Sequence, residues 1–105
     1  MSDPGHVFDA LGDPTRRRLV AHLSSLGAAS STELSRVLPI SRQAVSKHLD
    51  LLAEAGLVSS RRHGRAVIYR LTPKPLADAV SWMTQVGAEW DDRLDALRSQ
   101  LKRRR

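Results

Sequence analysis

The chain has no cysteine, which excludes disulfides, thiolate metal ligands and a thiol redox switch. Aromatic residues are scarce, one phenylalanine, one tyrosine and two tryptophans in 105 residues, and without a cross-link the fold must stand on packing alone. No stretch approaches the roughly 18 consecutive apolar residues of a membrane span. The opening MSDPGHVFDALGDP lacks the apolar run of a signal peptide, so a cytoplasmic protein with no membrane partner is expected. No phosphate-cradling glycine loop, nucleophile and base pair or carboxylate pair appears, so neither an enzyme nor a catalytic residue is expected. His6, His22, His48 and His63 stand singly, without the i, i+4 pairing that builds a zinc or nickel site; neither a metal nor any cofactor is expected.

What the chain does have is positive charge, gathered in one place. Its length suits one domain over residues 1–105, and 41% hydrophobic residues suffice for one small core. The formal charge is +6. Between Ser41 and Arg70, six basic residues (Arg42, Lys47, Arg61, Arg62, Arg65, Arg70) face two acidic ones (Asp50, Glu54), a local balance of 6 − 2 = +4. A polyanionic partner fits this distribution better than it fits net charge alone.

The segment SSTELSRVLPISRQAVSKHLDLLAEAGLV, Ser30 to Val58, spells a helix-turn-helix over about residues 30–56. Ser30 with Glu33 forms a capping box, Leu34, Val37 and Leu38 give an apolar stripe, and Pro39 ends the first helix. A turn of about three residues leads to Ser41 as the next N-cap. Val45, Leu49 and Leu52 then repeat at spacings of four and three on a buried face, and Gly56 stops the helix. Advancing about 100° per residue from Val45 turns Gln43, Ser46, Lys47 and Asp50 outward. Glutamine can pair bidentately with adenine, and lysine reaches guanine or phosphate. Arg42 flanks this face at the helix start, where free amides also favour a phosphate. His48, on the other flank beside the apolar stripe, suits structural support more than base reading.

Val58 to Arg62 and Ala66 to Leu71 are β-compatible segments separated by His63, Gly64 and Arg65, a hairpin over about 58–71 with a basic tip. Attached after a reading helix, such a hairpin is a wing, with Arg61, His63 and Arg65 as DNA contacts. Upstream, two short helices are expected. The second has Asp13 as cap, Pro14 at its first position and Leu19, Val20, Leu23 and Leu26 inward. Arg16, Arg17 and Arg18 point in three directions and are read as solvated or structural. After Thr72 and Pro73, Leu76, Val80, Met83, Gly87, Trp90, Leu94, Leu97 and Leu101 recur at alternating spacings of four and three, a heptad seam on a helix over about 74–101. Trp82, Val86 and Trp90 add an i, i+4 row, more apolar surface than one monomer side hides, so a homodimer is expected. An aromatic row of this kind means packing more often than a ligand pocket. Lys102 to Arg105 reads as a frayed basic tail.

The fold class is therefore mainly α with a small β-hairpin, a winged helix-turn-helix in the order α-α-α-α-β-β-α with a long C-terminal dimerisation helix. FDALGDPTRRRLVAHLS, SSTELSRVLPISRQAVSKHLDLLAEAGLV and HGRAVIYRLTP, in that order, resemble the ArsR-type (arsenic repressor-like) winged helix transcriptional regulators over about residues 6 to 76. The resemblance implies a homodimeric repressor of double-stranded DNA at an inverted repeat, often in its own promoter. It puts DNA contacts at Arg42, Gln43, Ser46 and Lys47, with Ser41 beside them. It also implies a dimer interface of first and last helices: Val7, Phe8 and Leu11 with Val80, Met83, Gly87, Trp90, Leu94 and Leu97. The metal-sensing members carry a cysteine motif where this chain has Thr32, Glu33, Leu34, Ser35 and Arg36, and a second site of aspartate and histidine on the last helix, which here has no histidine. A non-metal branch is implied and the effector is left open. Rival readings are a MarR-type ligand-responsive repressor, usually a longer chain, and a winged-helix protein-interaction module that binds no DNA.

Overall fold

A computed structural model describes residues 4–103. The order is α1 (Pro4–Ala10), α2 (Pro14–Leu26), β1 (Ala29–Ser30), α3 (Ser31–Val37), α4 (Arg42–Glu54), β2 (Val58–His63), β3 (Ala66–Leu71) and α5 (Pro73–Arg103). The antiparallel sheet has the order β1-β3-β2. The strand β1, which pairs Ala29 with Tyr69 and Ser30 with Ile68, was not expected. Two residues cannot display an alternation, so the sequence gives no sign of it.

Local chemistry sets the boundaries. The Asp13 carboxylate accepts from the Arg16 amide at 3.0 Å and starts α2. At the other end of α2, Gly27 takes φ +81° and its amide donates to the Leu23 carbonyl at 2.8 Å. The capping box of α3 is complete: the Glu33 amide donates to Ser30 Oγ and the Ser30 amide to Glu33 Oε1, both at 3.1 Å. Leu38 is extended, at φ −115° and ψ 141°, because the residue before a proline is driven out of the helical region. The turn of the helix-turn-helix therefore runs over four residues, Leu38–Ser41, instead of three. Ser41 Oγ then accepts from the Ala44 amide at 3.1 Å and opens α4.

The core is aliphatic. Leu19 and Leu23 of α2, Leu34 of α3, Val45, Leu49 and Leu52 of α4, and Leu57 meet in one cluster. No polar side chain is buried among the described residues. Two expected core positions differ: Val37 and Leu26 are exposed. Once Leu38 leaves the helix and turns inward, Val37 is left on the outer side of α3, and Leu26 is the last helical residue before the chain reverses at Gly27. Val7 corrects the proposed dimer interface, since it is fully buried in the protomer's own core. Helical spacing of three turns Val7 and Ala10 inward together, leaving Phe8 and Leu11 half-buried at the rim.

The last helix, α5, has 31 residues, starting one and ending two beyond the expected 74–101. At 1.5 Å per residue it spans about 46 Å, and it draws the molecule out to 71 Å. Pro75 and Ala79 are its buried residues, both near its start. Lys102 and Arg103, expected in a frayed tail, are helical; Arg104 and Arg105 lie outside the described residues. Among the described residues no helix is long and apolar enough to cross a membrane.

Candidate nucleic-acid interface

Buried Val45, Leu49 and Leu52 fix the rotation of α4, and that rotation settles which side chains it presents. Arg42, Gln43 and Lys47 are exposed, as is the capping Ser41, and Ser46 is half-buried. They form two rows at i, i+4 spacing. Arg42 and Ser46 line a cleft, of about 500 Å³, whose other walls are Ser30, Ser31 and Thr32 at the start of α3 and Arg65, Ala66, Val67 and Tyr69 of the hairpin. Gln43 and Lys47 lie outside it. The helix start and the hairpin thus share one concave surface carrying two guanidinium groups. No acidic residue stands in the first turn of α4 to oppose a phosphate there.

The hairpin is tighter than expected. His63 pairs with Ala66, so the turn is Gly64 and Arg65 alone, and His63 belongs to a strand. Gly64 has φ +62° while among the described residues no non-glycine has positive φ, Arg65 included, the pattern of a type II′ turn with glycine first. Register then sorts the basic residues. Arg61 opposite Ile68 and His63 opposite Ala66 share one face. On the other face Arg62 lies opposite Val67, in line with Ser60 opposite Tyr69 and the buried Val58 opposite Leu71. Arg62 was not among the expected contacts, yet it stands on the face of Val67 and Tyr69, both of which line the cleft. Fixing the turn at Gly64 and Arg65 and counting alternation outward from Leu71 would have found it.

Tyr69 holds its proton firmly: partial burial raises its pKa, and the nearby Asp50 carboxylate raises it further. Its hydroxyl is therefore a donor at neutral pH, on the cleft wall. His48 is occupied elsewhere. Its Nδ1 lies 3.5 Å from Arg16 Nη1 and 3.9 Å from Asp13 Oδ2. The Asp13 carboxyl is held below its ordinary value, first by the Arg16 amide and, against some desolvation, by the charges of His48 and Arg16. Arg16 and Arg17 cap α1: Arg16 Nε donates to the Ala10 carbonyl at 2.6 Å and Arg17 Nη1 to the Leu11 carbonyl at 2.7 Å. Two of the three consecutive arginines are thus spent on the carbonyls that a helix end leaves unpaired, while Arg18 is exposed.

Val80, Met83, Trp90, Leu94 and Leu97 are 45% to 56% exposed along α5. At Gly87 an added Cβ would meet nothing within 4 Å. Phe8 of α1 packs on Trp82, with ring centroids 5.6 Å apart and planes at 56°. The Arg93 guanidinium lies 5.3 Å above Trp90. Neither tryptophan lines the cleft beside α4 or a second one between α1 and α4. Among the described residues no group of three or more His, Cys, Asp or Glu could hold a metal ion.

Residues 11–61 match the family described as "Helix-turn-helix domain". The chain is 33% identical over 78 residues to the transcriptional repressor SdpR of Bacillus subtilis, covering 74% of this chain and 86% of that protein. It is 45% identical over 74 residues to the HTH-type transcriptional regulator Rv2034 of Mycobacterium tuberculosis, 70% of this chain and 68% of that one. In structure it resembles an ArsR-like transcriptional regulator from a Rhodococcus species, with a TM-score of 0.79 and 39% identity over 90% of this chain and 88% of the other.

Proposed function

The chain belongs to the ArsR family of winged helix-turn-helix transcriptional regulators, and from that premise we propose that this DNA-binding repressor works as a homodimer on an inverted-repeat operator. The observation that carries the reading is the cleft joining Arg42 and Ser46 of α4 to Arg65 and Tyr69 of the wing. Helix and wing then grip one stretch of backbone. Gln43 and Lys47, on the outer row of α4, read base edges in the major groove, and the arginines neutralise phosphates. The wing contacts are Arg65, Arg61 and His63, to which the strand register adds Arg62. A second copy pairs through α5, with Phe8 and Leu11 at its edge. The two reading helices then meet successive major grooves, with half-sites one helical turn, about 34–36 Å, or a multiple apart. Occupancy of the operator excludes polymerase, and the promoter of the repressor's own gene is a natural target.

The role is regulatory and cytoplasmic, with no catalytic residue assigned. With no cysteine in the chain, the signal that releases DNA is not a thiolate-bound metal. Selection of bound duplexes from a random-sequence pool tests the reading. A two-fold symmetric consensus is the expected result; no enrichment over random DNA would remove the assignment of DNA binding.

A further inference from the structure

Arg16 does more than close α1. Its Nε and Nη2 donate to the carbonyls of Ala10, at 2.6 Å, and Asp9, at 3.3 Å, in the last turn of α1. Its Nη1 lies 3.5 Å from His48 Nδ1, thirty-two residues away on α4. Asp13, which caps α2, stands 3.9 Å from the same imidazole nitrogen. One half-buried guanidinium therefore ties the α1 end to the flank of the reading helix. His48 follows directly after Lys47 and lies one turn beyond the turn that carries Arg42 and Gln43. At its other end α1 is fastened to α5, where Phe8 meets the Trp82 ring. The contacts run without a gap: Trp82, Phe8, the α1 backbone, Arg16, His48, α4.

We infer that Arg16 and His48 form a clamp that sets the pose of the reading helix relative to α1 and α5, so that Arg16 governs operator affinity as a positioning residue without touching DNA. Three features of the chemistry support this. A guanidinium is a planar fork, able to serve two carbonyls on one side and an imidazole nitrogen on the other, a task a single ammonium cannot repeat. The Nδ1 of His48 accepts from Arg16 when its proton sits on Nε2. The clamp also joins elements whose relative pose matters most if two reading helices must reach two half-sites at fixed spacing, because a small rotation of α4 misplaces both.

The inference rests on the DNA-binding reading above, and the experiment separates the two. Fluorescence anisotropy would compare affinity for the duplex enriched by the selection and for a random-sequence duplex of equal length. The variants are Arg16→Lys, His48→Leu, His48→Gln and the double Arg16→Lys/His48→Leu. Arg16→Lys is expected to weaken the selected duplex by about tenfold, within the range a residue acting through a neighbour produces. Random-duplex affinity, the salt slope on the selected duplex and dimer sedimentation should stay unchanged. His48→Leu should reproduce that loss, His48→Gln should restore most of the affinity through its amide oxygen, and the double variant should be no worse than either single. A salt slope reduced by about one in Arg16→Lys would make Arg16 a phosphate contact and overturn the inference. So would additive losses, or Arg16→Lys binding like the unmodified protein. If Arg16→Lys fails to fold, His48→Leu against His48→Gln decides: equal affinities overturn the clamp. If the unmodified protein prefers no duplex, it is the DNA-binding reading that fails.

Discussion

From Val7 to Ala79 the protein buries most of its large aliphatic side chains, Leu26, Val37, Leu51 and Val67 excepted; beyond Ala79 the α5 helix carries Val80, Met83, Trp90, Leu94 and Leu97 out into solvent. The two regions obey the same helical periodicity. They differ in what stands opposite. Leu19, Leu34, Leu49, Leu52 and Leu57 face one another across α2, α3, α4 and the sheet, and the cluster is complete. Among the described residues the ring contacts on α5 are Phe8 on Trp82 and Arg93 over Trp90, and the seam beyond Ala79 stays about half exposed. The difference teaches that the first region makes the fold while the second is left over from it, the surface assigned above to the proposed dimer, and the two should fail separately.

The sharpest way to break the comparison is in the closed core. Leu49→Ala removes a fully buried side chain and should cost about 2–5 kcal/mol of unfolding free energy, read from the urea midpoint; a loss near zero would mean that the cluster does not hold the fold. Trp90→Glu attacks the open region instead. Sedimentation should show a dimer becoming a monomer, while circular dichroism keeps the helical signal; a Trp90→Glu dimer would mean that the seam is not the interface. The proposed DNA surface lies on the outside of the first region, on α4 and the hairpin. Gln43→Ala should cost about 1–3 kcal/mol and relax preference at one base position, whereas Arg65→Ala should weaken all sequences alike and lower the salt slope by about one. A change of preference in Arg65→Ala would make the wing a base reader.

The smallest effect concerns acid. The Asp13 carboxyl lies below its ordinary value of 3.8, so its contribution is full above that pH and fades as pH falls through the lowered value. Asparagine caps as well and does not titrate there. Thermal midpoints of Asp13→Asn and the unmodified chain should therefore converge as pH falls below 3.8 and through the lowered value; parallel curves would show that Asp13 is uncoupled from folding.

Much of this was legible from neighbouring residues. The capping box of Ser30 and Glu33, the Asp13 and Ser41 caps, and the α4 row of Val45, Leu49 and Leu52 are local patterns, and the structure holds each of them. Where contacts are distant in sequence, the reading weakened. Val7 looked like an interface residue because a helix of seven residues shows too little periodicity to say which side is covered. Arg62 went unnoticed because its face depends on whether the hairpin turn has two residues or three, and one residue of slip turns every side chain over. The strand β1 exists only because β3 offers it a free edge.

The sequence by itself determined the elements, the caps that bound them and the apolar row that aims α4, because these depend on side chains three or four residues apart. Only the tertiary structure decided that Arg42, Ser46 and Arg65 line one cleft, that Arg16 reaches His48 from another helix, and that the α5 seam stays uncovered within its own chain. Those facts depend on how separate elements pack, and no spacing along the chain encodes the distance between two of them.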